Sequence, residues 1–318
     1  MTWKRTALFF LVFVGVASFY YFKARTQYPS EAVFSFSPES AQATVLAISE
    51  KKLVSRLTLR DTSKGTVISF ARQGEHTWRI AQPIDYPAES VILDGLVGLL
   101  KLTPRMRQLS FEGLQEKEFG FDAPRFSICV STDFSKEQCL FIGSDAVIAK
   151  GAYAKWNDEA KYFLVDRTFI TAFDKTLYSV RKKQIFTLLE NEASAVHFQS
   201  QKREFEIRRQ GKHWVLKKPI EAALGSETVN GLLIRLNDLY VKEFLDDQRS
   251  DDPALDLKPG RRVIRVKFQD GSEQILVQGR EAVGRDAYFA QGPDGKTVLL
   301  VSIGKLDKIE DLFRALVS

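Results

Sequence analysis

The chain has 318 residues, of which 44% are hydrophobic and 27% charged, close to the averages of ordinary globular proteins. These values exclude a disordered tail protein, a collagen, a coiled-coil rod and a polytopic membrane protein, and the length is typical of about two domains. Two cysteines are too few for a disulfide scaffold or a multi-cysteine zinc domain, and a net charge of +6 is too mild to indicate a nucleic-acid partner.

An uncharged apolar segment, ALFFLVFVGVASFYYF, occupies residues 7–22. As a helix it would reach roughly 24 Å, short of a hydrocarbon core of about 30 Å, but flanking aromatic and basic residues can extend the span. We therefore predict a single-pass transmembrane signal anchor over residues 1–25. Two alternatives stay open: a secretory signal cleaved near Val16-Ala17-Ser18, and a helix buried in a soluble fold.

The flanks of this segment suggest its orientation. Two basic residues lie on each side, and only six residues precede the apolar run. Because short basic N-termini usually stay in the cytoplasm, we predict that the rest of the chain lies outside the cytoplasmic (inner) membrane, in the periplasm. Residues 26–50, which begin with a stretch rich in Ser, Pro, Ala and Gln, are predicted to be a stalk.

An internal repeat follows the stalk. The tripeptide Arg-Gln-Gly at 72–74 recurs at 209–211, and beyond it identical residues recur at an offset of 136. The matched pairs are Trp78 and Trp214, Pro83 and Pro219, Ile84 and Ile220, Ser90 and Ser226, Gly95 and Gly231, Leu96 and Leu232, Leu100 and Leu236, Ile128 and Ile264, Val130 and Val266, and Gly143 and Gly279. Tyr153 is matched to Tyr288 after a one-residue slip. We predict two homologous modules with one strand order, residues 51–182 and 183–318.

Each module contains the same series of predicted elements. Alternating runs such as 56–59 and 204–207 predict strands, and helical spacing with an N-cap serine predicts helices beginning at Ser90 and Ser226. Further strands follow, and amphipathic helices at 171–180 and 306–316 close the modules. Strand meanders with helices packed on one face predict an α+β fold, built from antiparallel or mixed sheets.

A recurring order of short motifs connects these elements. It runs from a Gly-x-His-x-Trp or Gly-x-His-Trp strand, with Pro five residues later, through a Leu-rich helix to Gly-Phe-x-x-Pro and Ile-Gly segments, and Arg181-Lys-Lys-Gln-Ile-Phe186 lies between the copies. With the short N-terminal anchor, this order resembles the bacterial domain of unknown function 4340 family, in two tandem copies over nearly all of residues 50–318. Members are often encoded beside ABC-type transporters, so the resemblance implies a transporter-associated envelope protein. It supplies no catalytic residue.

Several motifs suggest chemistry but fit a structural role better. The segment 292–297 ends like a phosphate-binding loop, but Ala290 replaces the glycine that the pattern requires, so we predict a turn. The acidic residues between 246 and 256 lack the spacing of a calcium loop and are predicted to form a solvated interdomain loop. The basic residues between 202 and 218 alternate with hydrophobic ones, which predicts an exposed strand face.

The side chains most often used for metal binding and stacking are also assigned to structure. The three histidines, His76, His197 and His213, have no metal-ligand spacing. Trp78 and Trp214 are predicted to pack against the helices that follow them. No catalytic residue, cofactor ligand or metal ligand is therefore predicted.

Cys129 and Cys139 lie on the two arms of a predicted hairpin. In the second module, an Asp270-Gly271 turn would pair Arg265 with Leu276. Carrying that register back places the two sulfurs on opposite faces of the sheet, so we predict that they are not bonded.

These patterns favour a membrane-anchored extracytoplasmic binding or scaffold protein, an accessory component of an ABC-type transporter or envelope assembly. Its predicted partners are the membrane and a transporter permease or auxiliary subunit. The alternative is a hydrolase or transferase that acts on envelope glycans through a carboxylate pair, because two carboxylates can converge in three dimensions without leaving a sequence signature. Facing carboxylates in a deep cleft would favour the enzyme, whereas a shallow groove would favour the binding protein.

Overall fold

The computed structural model describes residues 43–46, 52–106, 108–109, 115–132, 136–146, 150–258 and 260–317. The predicted anchor and most of the predicted stalk lie outside these residues. No helix within them is both long enough and apolar enough to cross a membrane.

The first sheet contains nine strands within the described residues. They are β1 (Val54–Asp61), β2 (Thr66–Gly74), β3 (Thr77–Gln82), β4 (Tyr86–Pro87), β5 (Gln108–Leu109), β6 (Phe126–Thr132), β7 (Gln138–Asp145), β8 (Gly151–Trp156) and β9 (Tyr162–Asp166). Their spatial order is β4-β3-β2-β1-β6-β7-β8-β9-β5. The helices of this part of the chain are α1 (Ser90–Leu102), α2 (Arg167–Phe173) and α3 (Leu177–Val180), with a 3₁₀ turn at Glu116–Phe119.

The second sheet also contains nine described strands. They are β10 (Ala193–Ser200), β11 (Glu204–Gln210), β12 (His213–Lys218), β13 (Ala222–Leu224), β14 (Val241–Phe244), β15 (Arg262–Phe268), β16 (Glu273–Ala282), β17 (Ala287–Gln291) and β18 (Val298–Ser302). Their spatial order is β13-β12-β11-β10-β15-β16-β17-β18-β14. The accompanying helices are α4 (Ser226–Asn237) and α5 (Ile303–Ala315), with a 3₁₀ turn at Pro253–Leu255.

The two sheets have the same strand order, as the repeat predicts. Replacing each strand of the first sheet by the strand nine places later in the chain reproduces the second sheet. The described strand pairings are antiparallel, so the α+β prediction is confirmed with antiparallel rather than mixed sheets. The predicted slip is wrong, because Tyr153 opposes Leu164 just as Phe289 opposes Leu300, which keeps the offset at 136.

The repeated glycines Gly143 and Gly279 have one physical role. A Cβ atom on Gly143 would lie 2.0 Å from the carbonyl oxygen of Phe119, and one on Gly279 would lie 2.0 Å from that of Leu255. In both places the end of a 3₁₀ turn passes directly over the strand, at an irregularity in its pairing with the next strand. Only glycine permits this approach of two backbones.

Helices cover the core of the second sheet. Helix α4 turns Val229, Leu232, Leu233 and Leu236 inward, at the spacing expected of a buried helical face. On α5, Phe313 stacks on Phe198 of the sheet with a centroid distance of 4.8 Å. Burial of such apolar side chains is the main favourable contribution to folding.

The predicted closing helices differ in length from the observed ones. The helix predicted at 171–180 is divided into α2 and α3, because Thr176 caps α3 through reciprocal hydrogen bonds with Ser179. The helix predicted at 306–316 begins at Ile303 and ends at Ala315.

Cys129 and Cys139 form a disulfide, so the prediction of unbonded cysteines is wrong. The prediction assumed a two-residue turn between β15 and β16, but these strands end at Phe268 and begin at Glu273. Lys267 is the last residue of β15 that pairs with β16, and it opposes Glu273, so five residues separate the paired positions, an odd number, and Arg265 pairs with Ile275 instead of Leu276. The same register in the first sheet places Cys129 directly opposite Cys139, with both side chains on one face.

The chain divides into two compact units. Of the described residues, the first unit holds those up to Leu53, Asp61–Lys64 and those within Leu96–Phe173, and the second holds Val54–Arg60, Gly65–Gly95 and those from Asp174 onward. The first unit therefore contains β5 to β9, and the second contains the whole second sheet.

Candidate functional site

Trp78 of the repeated motif is buried and bonded to a carboxylate. Its indole N–H donates to Asp94 Oδ1 at 2.8 Å, and Arg72 donates to the same oxygen at 2.9 Å. The guanidinium of Arg72 also lies 4.3 Å from the centroid of the indole ring. Burial raises the pKa of Asp94, but the hydrogen bonds from Trp78 and Arg72 outweigh it and hold that pKa below its ordinary value. Asp94 is thus a charged acceptor that fixes β2 and β3 to α1.

The second copy keeps the tryptophan but not its partner. Trp214 is fully buried, and its indole nitrogen has no hydrogen-bond partner within the described residues. Asn230 occupies the position that corresponds to Asp94, and Arg209 donates to the carbonyl of Glu190. The predicted burial of both tryptophans is confirmed, while their polar surroundings differ. A ligand-stacking role is excluded for both side chains because neither ring is accessible.

The histidines do not converge. His76 and His213 are exposed, and His197 Nε2 lies 2.9 Å from Glu204 Oε1 on the neighbouring strand. In the described part of the chain, the one group with metal-ligand proximity is Cys129, Glu137 and Cys139. Since both sulfurs of that group are joined in the disulfide, they are not available as thiolate ligands.

An open groove of about 900 Å³ in the first unit has a mostly apolar lining that includes two carboxylates. The groove is formed by the end of β7, the start of β8, the end of β9 and the first turns of α2. Its lining residues are Asp145, Ala146, Lys150, Gly151, Asp166, Arg167, Thr168, Thr171 and Ala172. The pairing of Asp145 with Ala152 and of Gly151 with Asp166 brings the two carboxylate residues to one end of the sheet.

Both carboxylates of the groove are held in their ionised form. A hydrogen bond from Arg125, at 2.6 Å, lowers the pKa of Asp145, and the charge of Arg167 acts in the same direction. Hydrogen bonds from the hydroxyl and backbone N–H of Thr168 lower the pKa of Asp166. Neither residue has the raised pKa of a general acid that works near neutral pH.

The second sheet does not repeat this groove chemistry. Glu281 and Ser302 occupy the positions that correspond to Asp145 and Asp166, so only one carboxylate is retained. The pair of carboxylates in the groove therefore distinguishes the first sheet from the second.

Arg181 is a buried cation in the second unit. It is 2% exposed and donates through one terminal nitrogen to both carboxylate oxygens of Asp246, at 2.7 and 2.8 Å. Its guanidinium carbon lies 3.6 Å from the ring centroid of Phe244 and 4.5 Å from that of Tyr86. Burial raises the pKa of Tyr86 to about 12, so its hydroxyl is neutral at physiological pH.

The segment 181–185 explains why this cation is buried. Arg181 pairs with Ala88 on one side, and Gln184 pairs with Tyr240 on the other. Lys183 N–H donates to Glu89 Oε1 at 3.0 Å, and Ile185 N–H donates to the carbonyl of Leu239 at 2.9 Å. The basic sequence between the predicted modules is therefore a structural element that joins residues 86–89 to residues 239–241.

The acidic cluster matches the predicted solvated loop only in part. Asp246 binds Arg181, Asp251 pairs with Arg249 at 2.9 Å, and Asp256 pairs with Arg261 at 2.6 Å. The carboxylates are thus distributed among separate partners.

The remaining motifs have structural roles. The segment 292–297 is the turn between β17 and β18, in which Asp294 accepts hydrogen bonds from the backbone N–H groups of Lys296 and Thr297. The predicted exposed strand face holds in part: Arg208 pairs with Glu206 and Lys218 pairs with Glu204 at the surface, whereas the guanidinium of Arg209 lies 5.8 Å from the ring centroid of the buried Trp214.

The groove and the Arg181 cluster were not predicted from the sequence. Asp145 and Asp166 meet only through the pairing of β7, β8 and β9, and Arg181 and Asp246 are 65 residues apart. The basic residues Lys182 and Lys183 mark the segment around Arg181 in the sequence, but they do not indicate which carboxylate Arg181 binds.

In the described part of the chain, these features define an α+β protein of two antiparallel nine-stranded sheets, with an open groove that carries two carboxylates on the first. The chain belongs to the domain of unknown function 4340 family, whose model matches residues 78–260, more than half of the chain. The match begins in β3 and ends just before β15. Searches of curated proteins and of solved structures found no match to this chain.

Proposed function

We propose that this protein is a membrane-anchored extracytoplasmic binding or scaffold protein, and an accessory component of an ABC-type transporter or envelope assembly. The observation that carries the binding role is the groove beside α2. Its volume of about 900 Å³ lies within the range of ligand-binding clefts, roughly 300–1,000 Å³. Its carboxylates are already ionised and hydrogen-bonded, which suits recognition of polar groups better than proton transfer.

The disulfide supports the extracytoplasmic part of this proposal. Disulfides form and persist in oxidising compartments such as the periplasm and are rare in the cytoplasm. The apolar segment 7–22 supplies the means of export and of attachment to the cytoplasmic membrane.

We also propose that the chain carries two tandem copies of the family's domain, residues 51–182 and 183–318. The common strand order, the preserved register and the matching roles of Gly143 and Gly279 support this division. Two related modules on one anchor can engage one partner with increased avidity.

The experiment is purification of the full-length chain from membranes in mild detergent. We expect a transporter permease or auxiliary subunit to co-purify, and we expect less of it with a variant that lacks residues 1–25, because a chain without the anchor is neither exported nor held at the membrane. The variant Asp145→Asn tests whether the groove takes part, and Glu281→Gln is its matched control in the second sheet. Recovery of the full-length protein without a membrane partner would contradict the proposal.

The alternative is a glycan-acting hydrolase or transferase, which the presence of two carboxylates in one groove favours. It predicts turnover of envelope glycans by the purified full-length chain and loss of that activity in both Asp145→Asn and Asp166→Asn. Glycan turnover lost in these variants would replace the binding role by the enzymatic one.

A further inference from the structure

The outward face of α1 is apolar. Val91 is 86% exposed, Leu99 38% and Leu102 78%, and helical spacing places these three residues on one side of the helix. The intervening outward positions are Gly95 and Gly98. Large aliphatic side chains exposed in this continuous manner mark an interaction surface more often than a free surface.

The second copy provides an internal comparison for this face. The positions of α4 and its C-terminal flank that correspond to Val91, Leu99 and Leu102 hold Glu227, Arg235 and Asp238. These three positions are thus charged in one copy and aliphatic in the other, whereas Gly98 corresponds to the exposed Ile234. Because the fold accepts charged residues here, the aliphatic residues of α1 are not required by internal packing.

The described chain begins beside the apolar end of α1. Val45 N–H donates to the carbonyl of Thr103 at 2.8 Å, and Arg105 N–H donates to that of Ala43 at 2.9 Å. The carbonyl of Val45 also accepts a hydrogen bond from the indole of Trp156 at 2.7 Å. The first described residues, 43–46, therefore lie beside the C-terminal end of α1.

The length of the chain before residue 43 limits the distance between the fold and the anchor. Residues 23–42 separate the apolar segment from Ala43. Even when fully extended, twenty residues span at most about 70 Å. In an anchored chain, the C-terminal end of α1 thus stays within about 70 Å of the apolar segment.

We infer that the outward face of α1 inserts into the lipid surface of the membrane to which the chain is anchored; this inference rests on the proposed anchoring. The outward positions of α1 carry no charge, hydroxyl or aromatic ring, so they offer apolar burial without directional contacts. Interfacial helices bury such a face in the boundary between headgroups and acyl chains. Lys101 at the end of α1 adds a positive charge beside the face, which favours anionic headgroups.

The test uses the full chain reconstituted into vesicles of equal parts phosphatidylcholine and phosphatidylglycerol. An environment-sensitive fluorophore is attached to Leu102→Cys, or to Asp238→Cys as the matched control in the second copy, and the native cysteines remain joined in their disulfide. A quencher carried on the acyl chains is expected to reduce emission at position 102 at least about twofold more than at position 238. Val91→Glu and Leu99→Arg introduce the residues found at the equivalent positions of the second copy. Adding both substitutions should lower quenching at position 102 to the level of the control at position 238.

Each outcome decides the inference. Flotation of the protein with the vesicles but equal quenching at both positions overturns lipid contact and leaves the anchoring intact. An apolar emission spectrum at 102 without lipid quenching also overturns it, and indicates instead a second copy or another protein segment on this face. Failure to float with the vesicles overturns the anchoring proposal and this inference together.

Discussion

Arg181 and Asp246 form an ion pair whose two members experience different surroundings. The guanidinium is buried between Phe244 and Tyr86, whereas about half of the Asp246 side chain remains exposed. Removal of the carboxylate leaves a buried charge without a counter-ion, but removal of the guanidinium leaves a carboxylate that water can solvate. The cost of breaking the pair therefore depends on which residue is changed.

We expect Asp246→Ala to reduce the free energy of unfolding by about 3 kcal/mol, in the range for an unpaired buried charge. Arg181→Met, which keeps the volume between the rings, should cost clearly less. The measurement is urea unfolding at neutral pH, with the adjacent surface variant Asp247→Ala as control, expected within about 0.5 kcal/mol of the parent. Equal losses in Asp246→Ala and Arg181→Met would contradict the assigned asymmetry.

Asp94 predicts a pH dependence of stability. Its pKa in the folded state lies below the ordinary value of 3.8, so the ionised form stabilises the fold above that value. This contribution disappears as the pH falls through the folded-state pKa. The stability difference between the parent and Asp94→Asn should therefore be largest above about pH 5 and shrink below 3.8. Unfolding curves across this range measure it, and a difference independent of pH would be inconsistent with stabilisation by the ionised carboxylate.

At the scale of elements, the sequence predicted what depends on local periodicity. The helices begin at Ser90 and Ser226 as predicted, but Ser226 is the first helical residue and Gly225, which forms no side-chain cap, is the N-cap. The repeat predicted one strand order for both sheets. The cysteine pairing was missed because it depends on loop length: a two-residue turn was assumed, but five residues, an odd number, separate the paired Lys267 and Glu273 and shift the register by one place. The groove and the Arg181 cluster were missed because their residues meet only after strands distant in sequence have paired.

Substitution by alanine should change stability in opposite directions at Gly143 and Gly98. At Gly143 a Cβ atom would lie 2.0 Å from a carbonyl oxygen, so Gly143→Ala should reduce stability by about 1–3 kcal/mol. At Gly98, within α1, nothing lies within 4 Å of an added Cβ, so Gly98→Ala should raise stability by about 0.5–1 kcal/mol. Thermal and urea unfolding measure both.

The second copy provides a control for this glycine prediction. Gly279→Ala should match Gly143→Ala in sign and approximate size, because the same turn carbonyl approaches both positions. A destabilising Gly98→Ala would show that an added methyl group meets an obstacle on the outward face of α1, and a neutral Gly279→Ala would contradict the shared role.

At the scale of the whole molecule, three features belong together: an apolar segment near the start of the chain, a disulfide in the first sheet, and an open groove with ionised carboxylates. The first two concern location, and the third concerns what the protein does there. The family has no assigned function, so only experiments on the groove can distinguish a binding role from a catalytic one. Location is therefore the claim on which the proposed function depends.

The state of Cys129 and Cys139 in cells tests that claim most directly. Cells that produce the full-length chain are quenched rapidly in acid, and free thiols are then alkylated with a reagent large enough to shift the protein on a gel. We expect no shift unless the sample is first reduced, whereas a variant lacking residues 1–25 should remain in the cytoplasm and shift by two labels. Two reactive thiols in the full-length chain would contradict the extracytoplasmic placement.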